Sequence, residues 1–224
     1  MVNRKLIMLI IGSLLLFYSG PPLLSIMKEK QIESRLNENY SITSIIPTSP
    51  EFQIDSHIFK IAEENSHLEV RLDNQPLIDP FKVSIHNKSE YRYWGILGFL
   101  EVKNKEEGRI QTVAVQNANT EYNEDPSILT KRHWYLYYID EDGTVTKEHV
   151  TYEDRSSNPL AVKLIMKSGT SGSAIGYHSD ILNFHPSFWF PFIYPYGLAF
   201  LSLLFILIGS THLIRISKAA SKNK

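Results

Sequence analysis

The stretch RHWYLYYIDEDGTVTKEHVTY, residues 132–152, sets the fold class of this chain. Trp134, Tyr135, Leu136, Tyr137, Tyr138 and Ile139 are strand formers, and Thr144 to Tyr152 returns with Val145, Val150 and further threonines. Between them, Asp140-Glu141-Asp142-Gly143 ends in Asp-Gly, which supplies the positive backbone dihedral that a tight hairpin turn needs. The segment reads as a β-hairpin.

The same period of two extends upstream. Leu68, Val70 and Leu72 alternate with Glu69 and Arg71, and Phe81, Val83 and Ile85 alternate with Lys82 and Ser84. Tyr91 to Val102 is more continuously apolar and is broken by Gly95 and Gly98, which suits a strand covered on both sides or bent at a bulge. Asn104 to Gly108 is a polar turn into Ile110, Val113 and Val115, predicting a second hairpin. Downstream, Leu160 to Met166 and Ala174 to Leu182 read as the last strands, joined by a Gly/Ser loop from Ser168 to Ser173. About eight short strands at regular spacing predict a mainly β domain, an antiparallel sandwich or barrel-like fold, over residues 51–187. Glu63 to Asn65 leaves room for a helical turn packed on the sheet.

Both ends change character. Leu6 to Tyr18 is apolar behind Arg4 and Lys5, and Leu23, Leu24, Ile26 and Met27 resume beyond Pro21 and Pro22. A bilayer core needs about 20 apolar residues as a helix, and residues 6–27 meet that as an uncleaved signal-anchor with a proline kink. Phe17 and Tyr18 are too bulky for a signal-peptide cleavage site. The second span is expected at 188–214. Trp189, Tyr194 and Tyr196 lie at its aromatic entrance, and Arg215 is the first charge after it. Arg4, Lys5 and Arg215 complete the set of interface anchors. Residues 28–50 are read as a juxtamembrane segment, with Lys28 to Glu38 a short stalk helix and Ser41 to Glu51 an extended linker.

Charge orients the arrangement. All 24 acidic residues fall within 28–187, alongside 17 of the 23 basic ones, for a net of −7 there; the flanks carry six basic residues and no acid. Basic flanks stay cytoplasmic, so residues 1–5 and 215–224 are expected inside and the β domain outside the cell membrane. The absence of cysteine removes thiolate metal sites and Cys-nucleophile mechanisms, and an exported domain without it needs no oxidative folding. An acidic domain without a basic stripe also argues against nucleic acid as a partner. The expected partners are the lipid bilayer and a membrane protein, with Ser202, Gly209 and Ser210 small enough for a second helix to approach.

Three features bear on chemistry. Gly169-Thr170-Ser171-Gly172-Ser173 resembles the nucleophile loop of trypsin-like serine proteases over five residues. The resemblance implies Ser171 as nucleophile, the Gly169 and Ser171 amides as oxyanion donors, and His57 with Asp73 or Asp79 as the remaining pair. The alanine-histidine signature of that family is missing at His57, which lies in Asp55-Ser56-His57-Ile58. The acidic turn offers Asp140 and Asp142 as calcium ligands, at a spacing too short for an EF-hand loop. His133, His149, His178 and His185 lack metal-ligand spacing, and the 134–138 aromatics are either a core pair or a carbohydrate or peptide platform. No cofactor is expected. The expectation from sequence is a non-enzymatic accessory, regulatory or binding component of a cell-envelope complex, with the Ser171 hydrolase as its competitor.

Overall fold

The computed structural model describes residues 4–83, 93, 95–118, 132–171, 175–179, 181 and 189–222. Two compact units are present, Gln31–His178 and the pair of segments Met1–Lys30 with Ser179–Lys224.

The Gln31–His178 unit is mostly β. Among the described residues it has two antiparallel sheets. The five-stranded sheet comprises β1 (Tyr40–Ile45), β6 (Leu97–Asn104), β7 (Ile110–Asn117), β8 (His133–Ile139) and β9 (Val145–Thr151), in that order across the sheet. The four-stranded sheet runs β2 (Glu51–Ile54), β3 (His57–Glu64), β4 (His67–Leu72) and β5 (Gln75–Lys82). The 132–152 hairpin forms as read, with Ile139 opposite Val145 and Trp134 opposite Val150, and β6 pairs with β7 in the second expected hairpin.

In the five-stranded sheet, the central strands β6 and β7 are buried on both faces, which explains their near-continuous apolar residues. Leu100, Val102, Val113, Val115, Trp134, Leu136 and Val150 pack against the helix α2 (Pro159–Ser168). Leu97, Phe99, Ala114, Tyr137 and Ile139 turn the other way and share a core with Phe59, Ile61, Leu68 and Val70 of the four-stranded sheet. Phe59 and Phe99 meet edge to face at 5.3 Å, a favoured aromatic geometry. Gly98 lies on the helix-facing side, and a Cβ there would fall 2.2 Å from the Ser168 carbonyl oxygen. Only glycine lets the sheet come this close to the end of α2.

Several elements differ from the sequence reading. Leu160 to Met166 is helical because Asn158 caps it, accepting the Ala161 amide at 3.1 Å, with Pro159 in the first turn and Gly169 closing the end at φ 75°. Ile175 to Ser179 is not a strand, although Ile175 and Tyr177 belong to the core; Ala174, Asp180 and Leu182 lie outside the described residues. The supposed linker contains β1, whose Tyr40 and Ile42 pack into the helix-side core. Glu63 and Glu64 end β3, and Asn65-Ser66 is a two-residue turn with both φ positive. In the long apolar run, Tyr93, Gly95 and Ile96 are in turn geometry and a strand runs from Leu97; residues 91, 92 and 94 lie outside the described residues. No separate stalk helix exists: residues 28–38 continue α1 (Arg4–Asn39), which runs on through Pro21 and Pro22. Its Ile32 and Leu36 pack into the helix-side core.

The second unit holds the amino-terminal part of α1 and α3 (Leu198–Lys222), preceded by a wide turn at Phe192–Gly197 that leaves helical geometry at Tyr194. Among the described residues, two helical stretches, α1 and Phe192–Thr211, are long and apolar enough to cross a membrane. They pack through small residues. A Cβ on Gly12 would lie 2.9 Å from the Ser202 carbonyl oxygen, and one on Gly209 would lie 2.7 Å from Leu9 Cβ. The small face read at Ser202 and Gly209 is therefore met by α1 of the same chain. Away from that seam, Phe17 is 83% exposed and Phe200 66%.

Candidate functional site

A polar junction forms at the tip of the β8–β9 hairpin. His57 opens β3 and shares its inward face with Phe59 and Ile61. Its Nδ1 lies 2.8 Å from Asp73 Oδ2, and its Nε2 lies 3.1 Å from the Asp140 carbonyl oxygen. Asp73 and Asn74 form the β4–β5 turn with φ of 48° and 67°, a geometry that Asp and Asn tolerate because their short polar side chains bond locally. Asp73 Oδ1 also accepts the Ile58 amide at 2.8 Å, so its carboxylate is fixed before it meets the imidazole. That amide bond, then the imidazole, hold the Asp73 carboxyl below its usual pKa. His57 is pushed the other way: the Asp73 hydrogen bond raises it, burial opposes, and the Asp140 carbonyl raises it further.

Asp140 contributes to His57 only through its backbone. Its side chain takes Arg109 Nη2 at 2.7 Å and Gln111 Nε2 at 2.5 Å. Asp142 Oδ1 accepts the Thr144 amide at 2.9 Å, which lowers its pKa. Both acids weighed as calcium ligands are thus engaged by protein donors within and beside the hairpin turn. Among the described residues, no group of three or more His, Asp or Glu side chains is placed to hold a metal.

The protease-like pattern is half assembled. Asp73, rather than Asp79, meets His57; Asp79 is exposed on β5. Ser171 follows α2, and its carbonyl accepts Arg132 Nη1 at 3.1 Å, just before β8 begins. The seven residues of β8 span about 23 Å, and His57 binds beyond its far end. His57 and Ser171 are therefore at opposite ends of one strand. Gly169 and Thr170 serve the helix terminus instead: Gly169 accepts the Gly95 amide, and Thr170 is buried with its carbonyl taking Trp134 Nε1 at 3.3 Å. Gly172 and Ser173 lie outside the described residues.

The aromatic strand divides between two cores, with Trp134 and Leu136 on one side and Tyr137 and Ile139 on the other. Tyr135 is partly exposed, but its ring is engaged by its own neighbours. Lys147 Nζ sits 4.2 Å from the ring centroid, and the His149 and His133 rings lie at 5.0 and 5.9 Å. This face displays the Lys147 ammonium and the His149 imidazole outward, not an open stacking ring. His178 is exposed after the core residue Tyr177, and His185 lies outside the described residues.

Other polar sites carried no local signal. Tyr138 donates to Glu148 at 2.7 Å, and Asn158 binds the other Glu148 oxygen; burial, then Glu148, push the Tyr138 phenol up. At the end of α1, Lys163 Nζ bonds the Asn37 side chain and Lys105 Nζ its carbonyl oxygen, so two cations cap the negative helix terminus. Burial lowers the Lys163 pKa.

In the other unit, Trp189 is 61% exposed, Tyr194 packs on Tyr18 at 5.3 Å, and Lys30 lies over Tyr196 at 5.7 Å. Arg4 and Lys5 start α1, and Arg215 lies on α3 with its side chain outside the described set. Glu29 is buried and accepts the Ser179 amide and hydroxyl at 2.6 and 3.0 Å. A cavity of about 340 Å³ is lined by Pro21, Pro22, Ser25, Ile181 and Tyr194. No protein-family model matches the chain, and comparisons with curated proteins and with solved structures returned no match.

Proposed function

We propose that this chain is a two-span protein of the cell membrane whose β unit lies outside the cytoplasm and works, without catalysis, as an accessory, regulatory or binding component of an envelope complex. The observation that carries the reading is the apolar exposure of α1 and α3. Leu14, Phe17, Phe200 and Leu207 are each more than 60% exposed, while the seam between the helices is closed by Gly12, Ser202 and Gly209. Such surfaces suit hydrocarbon and are unstable in water. The basic flanks and the acidic centre support an orientation with both termini inside.

A partner helix would meet the large exposed residues, because the small ones are already used. The non-catalytic reading draws support from His57, whose two ring nitrogens are both committed. A serine hydrolase at Ser171 would need an imidazole within hydrogen-bond reach, and His57 lies at the wrong end of β8.

The cysteine-free chain makes topology directly testable. With Asn3→Cys and Lys147→Cys, a membrane-impermeant maleimide on intact cells should label the second and reach the first only after lysis. Labelling of both in intact cells would sink the orientation. Purification of the tagged chain in mild detergent should bring a stoichiometric membrane protein with it. A lone chain that reacts with a fluorophosphonate, and stops doing so after Ser171→Ala, would replace the accessory role with hydrolysis.

A further inference from the structure

We propose that His57 is a protonation-controlled latch, which ties the β4–β5 turn of the four-stranded sheet to the β8–β9 turn of the five-stranded sheet when its imidazole carries two protons. Two oxygen atoms face the ring. Asp73 Oδ2 at 2.8 Å belongs to a carboxylate, and the Asp140 oxygen at 3.1 Å is a peptide carbonyl. Both are acceptors and neither can donate. A neutral imidazole has one N–H, and an imidazolium has two. Deprotonated, the ring must turn a nitrogen lone pair toward one of these oxygens, so a favourable contact becomes a repulsive one.

The surroundings keep that choice sharp. The Asp140 oxygen already accepts the Gly143 amide at 2.9 Å, so it holds its position with or without His57. Asp73 is fixed by its turn and by the Ile58 amide. Around the ring, Asp55 on the β2–β3 turn adds negative potential. The Asp140 carboxylate is neutralised by Arg109, which also acts on Asp142. The His57 side chain is 9% exposed, while Asp73 is 47% exposed, so water can exchange protons with the pair without unfolding the unit.

The sign follows from linkage. The folded unit holds the His57 proton more tightly than the ordinary value of 6.5, so the latch adds stability below that value and loses it as pH rises through the higher folded-state pKa. The latch closes in acid and opens toward alkali.

The test uses the full chain in detergent micelles, with amide exchange corrected for its intrinsic pH dependence. Between about pH 6 and about pH 8, which bracket the ordinary histidine pKa, protection of residues 55–60 and 139–144 should fall several-fold in the wild type. His57→Gln should show low protection at both values. Asp73→Asn should restore protection at the higher pH, because its amide oxygen can still accept from Ile58 while its NH2 donates to a neutral His57. Equal wild-type protection at the two pH values would overturn the proposal. So would a His57→Gln chain that keeps the wild-type pH response, or an Asp73→Asn chain that opens as the wild type does. If His57→Gln does not fold, the wild-type and Asp73→Asn profiles decide alone.

Discussion

Phe59 and Phe17 are the same side chain in opposite surroundings. The first is wholly buried between two sheets, and the second stands 83% exposed on a helix. The β unit hides its largest apolar groups and displays charge; the helical unit hides glycine and serine and displays phenylalanine and leucine. The first arrangement suits water, and the second has an apolar surface of the kind that suits hydrocarbon. What the buried residues are therefore says less about the helical unit than what the exposed ones are.

The contrast can be broken by truncation. Phe59→Ala should cost about 3–5 kcal/mol, because the two sheets cannot collapse onto the vacated volume without moving Phe52, which stacks on it, and Phe99, which meets it edge to face. Urea unfolding of the detergent-solubilised chain, followed by tryptophan fluorescence, gives the value; a loss under about 1 kcal/mol would mean that the sheets are not one cooperative core. In the helical unit the vulnerable position is a small one. Gly209→Val should cost about 1–3 kcal/mol by overpacking against Leu9, read as a lower SDS fraction at the midpoint of helix unfolding.

Smaller effects sharpen the picture. Asn158→Ala removes the cap of α2 and one bond to Glu148, and should lower stability by about 1 kcal/mol in the same urea experiment. Phe17→Ala should change it by less than about 0.5 kcal/mol, because that ring is 83% exposed. If Phe17→Ala matched Phe59→Ala, the distinction between the two units would fail.

What could be read from sequence followed how local the physical cause was. The 132–152 hairpin was legible because Asp142-Gly143 and its flanking strands lie within one stretch. β1 was not, because Tyr40 to Ile45 becomes a strand only beside β6, and nothing near it announces that partner. α2 misled because Leu160 to Met166 is short, apolar and rich in branched residues, so its period decides little; the Asn158-Pro159 pair in front was the usable sign. His57 and Asp73 stand as a candidate pair only through the protease-like resemblance, and the structure brings those two together. Their actual third partner is a backbone carbonyl, and every residue has one, so no pattern of side chains points to it. Ser202 and Gly209 are small enough for a helix to approach, and α1 of the same chain is close to both, a neighbour that no local pattern names.

The clamp at the end of α1 also constrains how the chain is made. Asn37 leaves the ribosome 126 residues before Lys163, the partner of its side chain. At about 5–20 residues per second that delay is roughly 6–25 s. Throughout it, Ile32 and Leu36 wait for a core whose other wall, α2, has not been synthesised. The β unit therefore folds late, when nearly all of its chain is available. Nascent chains arrested before Pro159 should remain protease-sensitive after Gln31, and those extended past Tyr177 should become resistant.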